Sequence, residues 1–195
     1  MGAKAESPVE ELEVRSRAEL RAWLAENHTR AAGLWLVIFK KPSPYAIPML
    51  DIIEELLCWG WIDSRTRGVD AKRSSIWIAP RRAGSAWSAV NKGLVAQARV
   101  SGAMTAAGEA RIAEAQASGM WKFLDDVERL EVPEDLRAAL VGAGAEAVWE
   151  AFPRSVKRGT LEWIKTAKQA PTRAKRIADV AGRAAKGLRP SPFSR

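Results

Sequence analysis

The stretch from Trp59 to Lys92 concentrates the side chains of this 195-residue chain that can recognise an anion. It contains four tryptophans and seven lysines and arginines, against two carboxylates. Arginine pairs with anionic oxygens, and indole rings stack on planar groups or form apolar walls. The candidate ligand-binding residues are Trp61, Asp63, Arg65, Arg81, Arg82, Ser85, Trp87 and Asn91. In this hypothesis the paired arginines bind anionic oxygens, Trp61 and Trp87 supply apolar walls, and Asp63 orients an arginine.

Strand alternation places part of this set on one surface. On the first of two predicted strands, Asp63, Arg65 and Arg67 share one face, and on the second Trp77 faces away from its apolar neighbours. The pattern predicts arginines beside a tryptophan ring on one face of a sheet. The competing interpretation is a solvated basic face with tryptophans at the rim of the core.

The chain offers little for nucleophilic catalysis. It has one histidine, His28, and one cysteine, Cys58, and it contains neither a nucleophile-elbow motif nor a glycine-rich phosphate loop. Asp63 is the only carboxylate between Trp59 and Val69, and neighbouring arginines are expected to lower its pKa, which makes a poor general base. We expect binding rather than catalysis, with no metal and no cofactor. An enzyme acting on a small anionic substrate around Asp63 is one alternative.

The elements that must position these residues indicate an α+β fold. Ser16 to Glu19 form a capping box before an apolar helical pattern, and Pro48 begins a second helix with a strong apolar stripe. A run of β-forming residues after Gly33 is typical of a strand buried on both faces. Together they predict a small, mainly antiparallel sheet packed with helices. The predicted strands span 34–39, 62–69 and 75–79, and the predicted helices that cover them span 16–27 and 48–59.

Helices follow the sheet. Ser85 can cap a helix that runs to Val100, a second helix spans about 105–117, and Pro133 begins the first of several more. We expect an all-α subdomain to follow the α+β domain, with the boundary near residue 130. The predicted organisation is a flexible arm at 1–13, an α+β domain at 14–130 and a basic helical subdomain at 131–195.

Positive charge is concentrated towards the end of the chain. The net charge is +8, and residues 153–195 hold 12 lysines and arginines against 2 acidic residues. Arg173, Arg176 and Arg183 recur at helical spacing and can form a face that grips phosphates with salt-dependent affinity. A nucleic-acid-binding protein using these basic helices is the second alternative. The segment lacks the pattern of a recognition helix, and a solvated charged helix is the competing interpretation.

Composition restricts where in the cell the protein is expected and which partners it is expected to bind. The longest apolar run, Gly33 to Phe39, is too short to span a bilayer, and the N-terminus lacks the apolar stretch of a secretory signal. One cysteine excludes an intramolecular disulfide and suits a reducing compartment. We expect a cytoplasmic protein without a membrane span, whose partner is an anionic ligand or a protein. Its oligomeric state stays open.

Two specific motifs in the chain are Cys58-Trp-Gly-Trp-Ile-Asp-Ser64 and the Pro80-Arg-Arg that follows it. They are similar to motifs of the YdeI/OmpD-associated family. Further matching stretches are Gly33 to Lys41, Ser85-Ala-Trp-Ser88 with Asn91, Met104 to Gly108 with Ile112, Ala167-Lys168 and Thr172 to Ile177. The resemblance covers about residues 14–193.

The resemblance implies a bacterial protein with the family's description, bacteriocin protection and association with an outer-membrane porin. It supplies no catalytic residue and no cofactor. Its motifs coincide with the tryptophan- and arginine-rich stretch. We therefore expect a non-catalytic bacterial stress or protection protein that binds an anionic ligand or partner there.

Overall fold

The computed structural model describes residues 10–194, which form two compact units divided after Phe123. The first unit contains β1 (Glu11–Glu13), α1 (Arg17–Asn27), β2 (Leu34–Phe39), α2 (Met49–Cys58), β3 (Trp61–Gly68), β4 (Arg73–Pro80), α3 (Ala89–Val100) and α4 (Ala106–Ala117). The second contains α5 (Asp125–Glu128), α6 (Glu134–Gly142), α7 (Glu146–Ala151), α8 (Arg154–Lys165), α9 (Ala170–Ala184) and a 3₁₀ helix (Ser191–Phe193). A sheet followed by helices confirms the predicted α+β class.

The sheet has four strands in the order β1-β2-β4-β3. β4 pairs antiparallel with both β2 and β3, and β1 pairs parallel with β2. The inner face carries cross-strand apolar pairs such as Leu36 with Ile76 and Leu34 with Ile78, all buried. These pairs and the helices above them form the main core, which supplies most of the free energy that holds the sheet in place.

Strand β1 corrects the predicted arm. The arm is expected to run to residue 13, but Glu11–Glu13 form an edge strand. The strand forms because Val14, which follows it, is buried in the core, and because backbone hydrogen bonds join Glu10 O to Trp35 N and Val14 N to Val37 O. Residues 1–9 of the predicted arm lie outside the described residues.

Two helices cover the inner face of the sheet as the sequence predicts. α1 begins at the Ser16 cap, whose hydroxyl accepts a hydrogen bond from Glu19 N, and it buries Leu20 and Leu24. α2 buries Ile52 and Leu56 in the same cluster. Both stripes follow the spacing of three and four residues that one helix face requires.

α4 packs unusually close to the end of α2. A Cβ placed on Gly108 would lie 2.5 Å from Cys58 O and 2.7 Å from Leu57 O. Thr105, the cap of α4, donates its hydroxyl hydrogen to Cys58 O at 2.6 Å. Glycine at position 108 therefore permits the approach, and Thr105 satisfies a carbonyl at the end of α2.

α3 begins later than predicted. Its cap is Ser88, whose hydroxyl accepts from Asn91 N, rather than Ser85. The backbone of Ser88 is extended, which ends any helix before it, and in the preceding loop Ser85 N donates to Arg82 O while Ala86 O accepts a hydrogen bond from the Arg81 side chain. The helix therefore runs over Ala89–Val100 instead of beginning at residue 86.

The second unit is helical throughout its regular structure. Its buried residues include Leu136 and Leu140 of α6, Ile164 of α8, and Ile177 and Val180 of α9. Across residues 10–194, no helix is long and apolar enough to cross a membrane.

Candidate functional site

Arg81 is the most unusual side chain in the first unit. It follows β4, its backbone N–H donates to Gly60 O at 2.9 Å, and only 3% of the residue is exposed. Its Nη2 donates to Ala86 O at 2.5 Å, and its guanidinium lies 3.7 Å from the ring centroid of Trp87. Within the described part of the chain, its Nε and Nη1 are buried and have no hydrogen-bond partner. Such a group is costly, because each unmade bond of a buried charged group leaves its desolvation uncompensated.

Burial shifts the pKa values of Arg81 and Asp63 in opposite directions. Desolvation lowers the pKa of Arg81 to about 10, although the negative charge of Asp63 opposes the shift. Desolvation also raises the pKa of Asp63, and neither its backbone hydrogen bond nor the attraction of Arg81 cancels that effect. The predicted lowering of the Asp63 pKa is wrong because the carboxyl group is half-buried rather than solvated.

Trp87 and Trp61 are both buried, but they belong to two different core clusters. Trp87 packs on Trp121, with ring centroids 5.0 Å apart, in the cluster between α2, α3 and α4. Trp61 lies in the cluster beneath the sheet, donates its Nε1 hydrogen to His28 O and contacts Trp23 edge-on. Trp87 is therefore next to Arg81, whereas Trp61 is a core residue of the sheet.

The remaining members of the predicted loop set lie in the same chain segment as Arg81 and Trp87. Arg82 is exposed, and Ser85 is half-buried in the turn that closes onto Arg82 O. Ser88 caps α3 by accepting from Asn91 N, and its hydroxyl also donates to Asn91 Oδ1 at 3.0 Å. These polar groups shape the loop that leads from Arg81 to α3.

The outer face of the sheet carries a separate arginine–tryptophan layer. The Arg65 guanidinium lies 5.3 Å from the ring centroids of Trp35 and Trp77, and the Arg67 guanidinium lies 4.0 Å from Trp35. Arg67 is also bound to Glu11. Arginines thus stand beside tryptophan rings on one sheet face, as alternation predicts.

Asp63 does not lie on that face. The pairing of β3 with β4 shifts between Asp63, opposite Ile78, and Thr66, opposite Ile76. The shift inserts one extra residue in β3, which puts Asp63 on the side of the inner apolar pairs and Arg65 and Arg67 on the outer side. The expectation that these three residues share a face is therefore wrong.

Three residues near these sites are not among the predicted ligand-binding residues. Trp35 underlies both outer arginines, Trp121 backs Trp87, and Lys92 lies 5.4 Å from the Trp121 ring. Trp35 lies in the apolar run that predicts a strand buried on both faces, and Trp121 lies in a connection that shows no helix or strand periodicity. Only strand register and helix packing bring them to these positions.

A buried carboxylate network that joins α1 to α2 was not predicted either. Glu55 is 1% exposed, and its two oxygens accept from Arg17 at 2.8 Å and Arg21 at 2.7 Å. Trp59 Nε1 donates to the same group at 3.3 Å. Next to it, burial raises the pKa of the Cys58 thiol to about 11, and nearby glutamates add to the shift. Both oxygens of Glu55 already accept hydrogen bonds from side chains of the same unit, so we interpret this network as structural.

The three C-terminal arginines proposed for phosphate contacts are engaged within their own unit. Arg173 pairs with both oxygens of Asp135, at 2.6 and 2.9 Å. Arg176 donates to Trp163 O and lies over its ring, and Arg183 donates to Arg189 O at 2.6 Å. Among residues 10–194, no group of three or more histidine, cysteine or acidic side chains is arranged to hold a metal ion.

Comparison with family models gives two matches. The model described as Domain of unknown function (DUF8412) matches residues 12–111, just over half of the 195 residues. The chain belongs to this family. Every candidate ligand-binding residue, from Trp61 to Asn91, lies within the DUF8412 match.

A second model, described as Bacteriocin-protection, YdeI or OmpD-Associated, matches residues 129–187, which include α6 to α9. This match confirms the suspected family over residues 129–187, whereas the predicted resemblance spans about residues 14–193. The Cys58–Ser64 and Pro80–Arg82 motifs lie in the DUF8412 match instead. No curated protein and no solved structure matches the chain.

Proposed function

We propose that this protein is a non-catalytic binding protein for an anionic ligand, and that Arg81 is its anion receptor. The observation that carries the proposal is the pair of buried Arg81 nitrogens, Nε and Nη1, without a hydrogen-bond partner among the described residues. A charged hydrogen bond to an oxyanion is about twice as strong as a neutral one. An anion that reached these donors would therefore relieve the largest polar defect in this unit.

The environment of Arg81 favours an anion over a cation or a neutral ligand. The indole of Trp87 holds one face of the guanidinium, and Lys92 adds a second positive charge beside Trp121. Asp63 is the opposing charge, and its raised pKa means that it loses this charge more easily than an exposed aspartate. Net positive charge in a low-dielectric setting is what anion recognition requires.

The loop of residues 82–84 supplies the route of access. Arg82, Ala83 and Gly84 are all exposed, and a Cβ on Gly84 would meet nothing within 4 Å. The three residues directly follow Arg81 and lie between β4 and α3. We expect binding to be accompanied by local movement of the loop.

The biological part of the proposal rests on family descriptions. The description of the C-terminal match names bacteriocin protection and association with OmpD. We propose that this chain is a bacterial, cytoplasmic stress or protection protein, and that the anion bound at Arg81 controls its protective role.

Tryptophan fluorescence tests the proposal, because Trp87 lies against Arg81. The chain is titrated with inorganic phosphate, sulfate, citrate and a single-stranded oligonucleotide, at low and moderate salt. We expect saturable quenching by one of the small anions, its loss in Arg81→Met, and its retention in Arg82→Met, the neighbouring exposed arginine. Quenching that survives in Arg81→Met contradicts the proposed receptor. Quenching by the oligonucleotide alone, with a steep salt dependence, favours a nucleic-acid surface instead.

A second candidate function is catalysis on a small anion, and the raised pKa of Asp63 favours it. A carboxyl group with a raised pKa, close to a buried arginine, resembles the pairing of a general acid with an anion-binding group. Any anion that binds is incubated with the protein and followed by mass spectrometry. Conversion that is lost in Asp63→Asn while binding is kept establishes the enzyme, and an unchanged ligand contradicts it.

A further inference from the structure

A second concave site lies at the end of the sheet, apart from the Arg81 loop. It is a cavity of about 400 Å³ between the chain that follows β2 and the turn that joins β3 to β4. Its volume lies within the range of small-molecule sites. Its lining residues are Phe39, Lys40, Lys41, Pro42, Ser43, Pro44, Tyr45, Ala71 and Lys72. None of them is a candidate ligand-binding residue of the Arg81 loop.

The walls of this cavity are aromatic and apolar. The rings of Phe39 and Tyr45 meet edge to face, with centroids 5.5 Å apart, and Pro42 and Pro44 complete the apolar lining. The Arg15 guanidinium also contacts this ring and lies 5.4 Å from the Tyr45 ring centroid. Tyr45 keeps 45% of its surface exposed although it is among the largest side chains of the unit. An exposed aromatic wall of this kind fits a flat apolar ligand.

The frame of the cavity is held by hydrogen bonds. Lys40 N donates to Lys72 O at 2.8 Å and Lys40 Nζ donates to Asp70 O at 2.9 Å, which ties the two segments together. Tyr45 N donates to Ser43 Oγ at 3.2 Å. The Asp70 carboxylate accepts from the backbone N–H groups of Lys72 and Arg73 and fixes the turn. A cavity built in this way is formed before a ligand arrives, which lowers the entropic cost of binding.

The charge on the lining is positive. Three lysines contribute to it and no carboxylate does. The nearest acid, Asp70, is neutralised by Arg73 at 2.8 Å, and this contact lowers the pKa of Asp70. Lys41 and Lys72 are exposed, and they can reach a charged group at the mouth of the cavity.

We propose that this cavity binds a small aromatic carboxylate, with its ring against Phe39 and Tyr45 and its carboxylate at Lys41 and Lys72. The apolar walls supply most of the affinity, and the lysines select for negative charge. The proposal is independent of the Arg81 site, because the two sites share no residue.

The test uses 2-naphthoate as the probe and its uncharged analogue 2-naphthylmethanol as the comparison. Binding to the full chain is followed by the backbone amide resonances of an isotope-labelled sample. We expect saturable shifts centred on Ser43, Tyr45 and Lys72, and an affinity for naphthoate about fivefold or more above that for the alcohol. Equal affinities, or shifts centred elsewhere, overturn the proposal without any variant.

Variants then assign the two parts of the site. The double change Lys41→Gln, Lys72→Gln is expected to weaken naphthoate about fivefold and to leave naphthylmethanol unchanged. Tyr45→Ala is expected to weaken both probes. The matched control is Lys168→Gln, Lys175→Gln, which removes two exposed lysines from the second unit. If the control weakens naphthoate as much as the Lys41 and Lys72 changes do, only net charge is acting and the proposed site is wrong.

Discussion

The guanidinium of Arg81 stacks on Trp87 at 3.7 Å while two of its three nitrogens have no hydrogen-bond partner in the described chain. Burial of an arginine is compensated when its donors make hydrogen bonds, as those of Arg17 and Arg21 do with the Glu55 carboxylate. The contrast with this structural network is the basis for our proposal that Arg81 binds a ligand. Sites that serve function are often kept at the expense of stability.

The first prediction concerns the stability of Arg81→Met. Methionine keeps an unbranched apolar stem against Trp87 and removes the uncompensated charge. We expect the free energy of unfolding to rise by about 1 kcal/mol, as seen when poorly compensated buried charges are replaced by apolar groups. Urea unfolding measures it, with Arg82→Met as a control that stays within about 0.5 kcal/mol of the parent. A loss above about 2 kcal/mol would show that Arg81 is structural.

The second prediction concerns Asp63 and pH. Its pKa is raised in the folded chain, so folded Asp63 keeps its proton over a pH window in which the unfolded chain has lost it. The stability that this group contributes is therefore present below its ordinary pKa and falls as the pH rises through the raised value. We expect the stability gain of Asp63→Asn over the parent chain to grow from acidic to neutral pH in urea unfolding.

Asp135→Asn is the control with the opposite sign. The hydrogen bond from Arg173 lowers the pKa of Asp135, so its contribution is present above its ordinary pKa and is lost as the pH falls. A parallel pH response of the two variants would contradict the burial assigned to Asp63.

The third prediction concerns the approach of α4 to α2. Gly108→Ala would place a Cβ 2.5 Å from Cys58 O, and neither backbone can yield easily. We expect a loss of about 2–3 kcal/mol in the free energy of unfolding. Gly93→Ala in α3, where a Cβ meets nothing within 4 Å, is expected to gain about 0.5–1 kcal/mol from helix propensity. Equal effects of the two changes would mean that α4 can shift to accept the methyl group.

The fourth prediction concerns the buried carboxylate. Glu55→Gln removes the charge that Arg17 and Arg21 share, but both arginines keep about a third of their side chains exposed and can rehydrate. We expect a loss of about 2 kcal/mol, smaller than for a fully enclosed pair. Glu109→Gln breaks an exposed pair with Arg99 and is expected to lose less than about 1 kcal/mol. A similar loss for both would indicate that burial of Glu55 adds nothing.

The sequence predicts the local elements well where one pattern decides them. The capping box at Ser16, the apolar stripe from Ile52 to Leu56 and the β-forming run at 34–39 all appear as expected. Each depends on residues within a few positions of one another, which is where periodicity and capping act.

The errors arise where distant chain segments decide the outcome. The shift between Asp63 and Thr66 exists only in the pairing with β4, so strand alternation alone puts Asp63 on the wrong face. The loop before α3 contains the hydrogen bond that the Arg81 side chain donates to Ala86 O, and β1 depends on the burial of Val14. The pKa of Asp63 follows burial, which a count of neighbouring arginines does not contain.

The most direct test observes the Nε–H group of Arg81 itself. Its side-chain resonance in a nitrogen-15 spectrum is assigned by its absence in Arg81→Met, and the chain is then titrated with the small anion that quenches the tryptophan fluorescence. We predict a saturable downfield shift of that resonance, because a new hydrogen bond to an anionic oxygen deshields the proton. An Arg81 Nε–H resonance that stays in place while the anion binds elsewhere, or while none of the anions binds, would contradict the claim that Arg81 is the receptor.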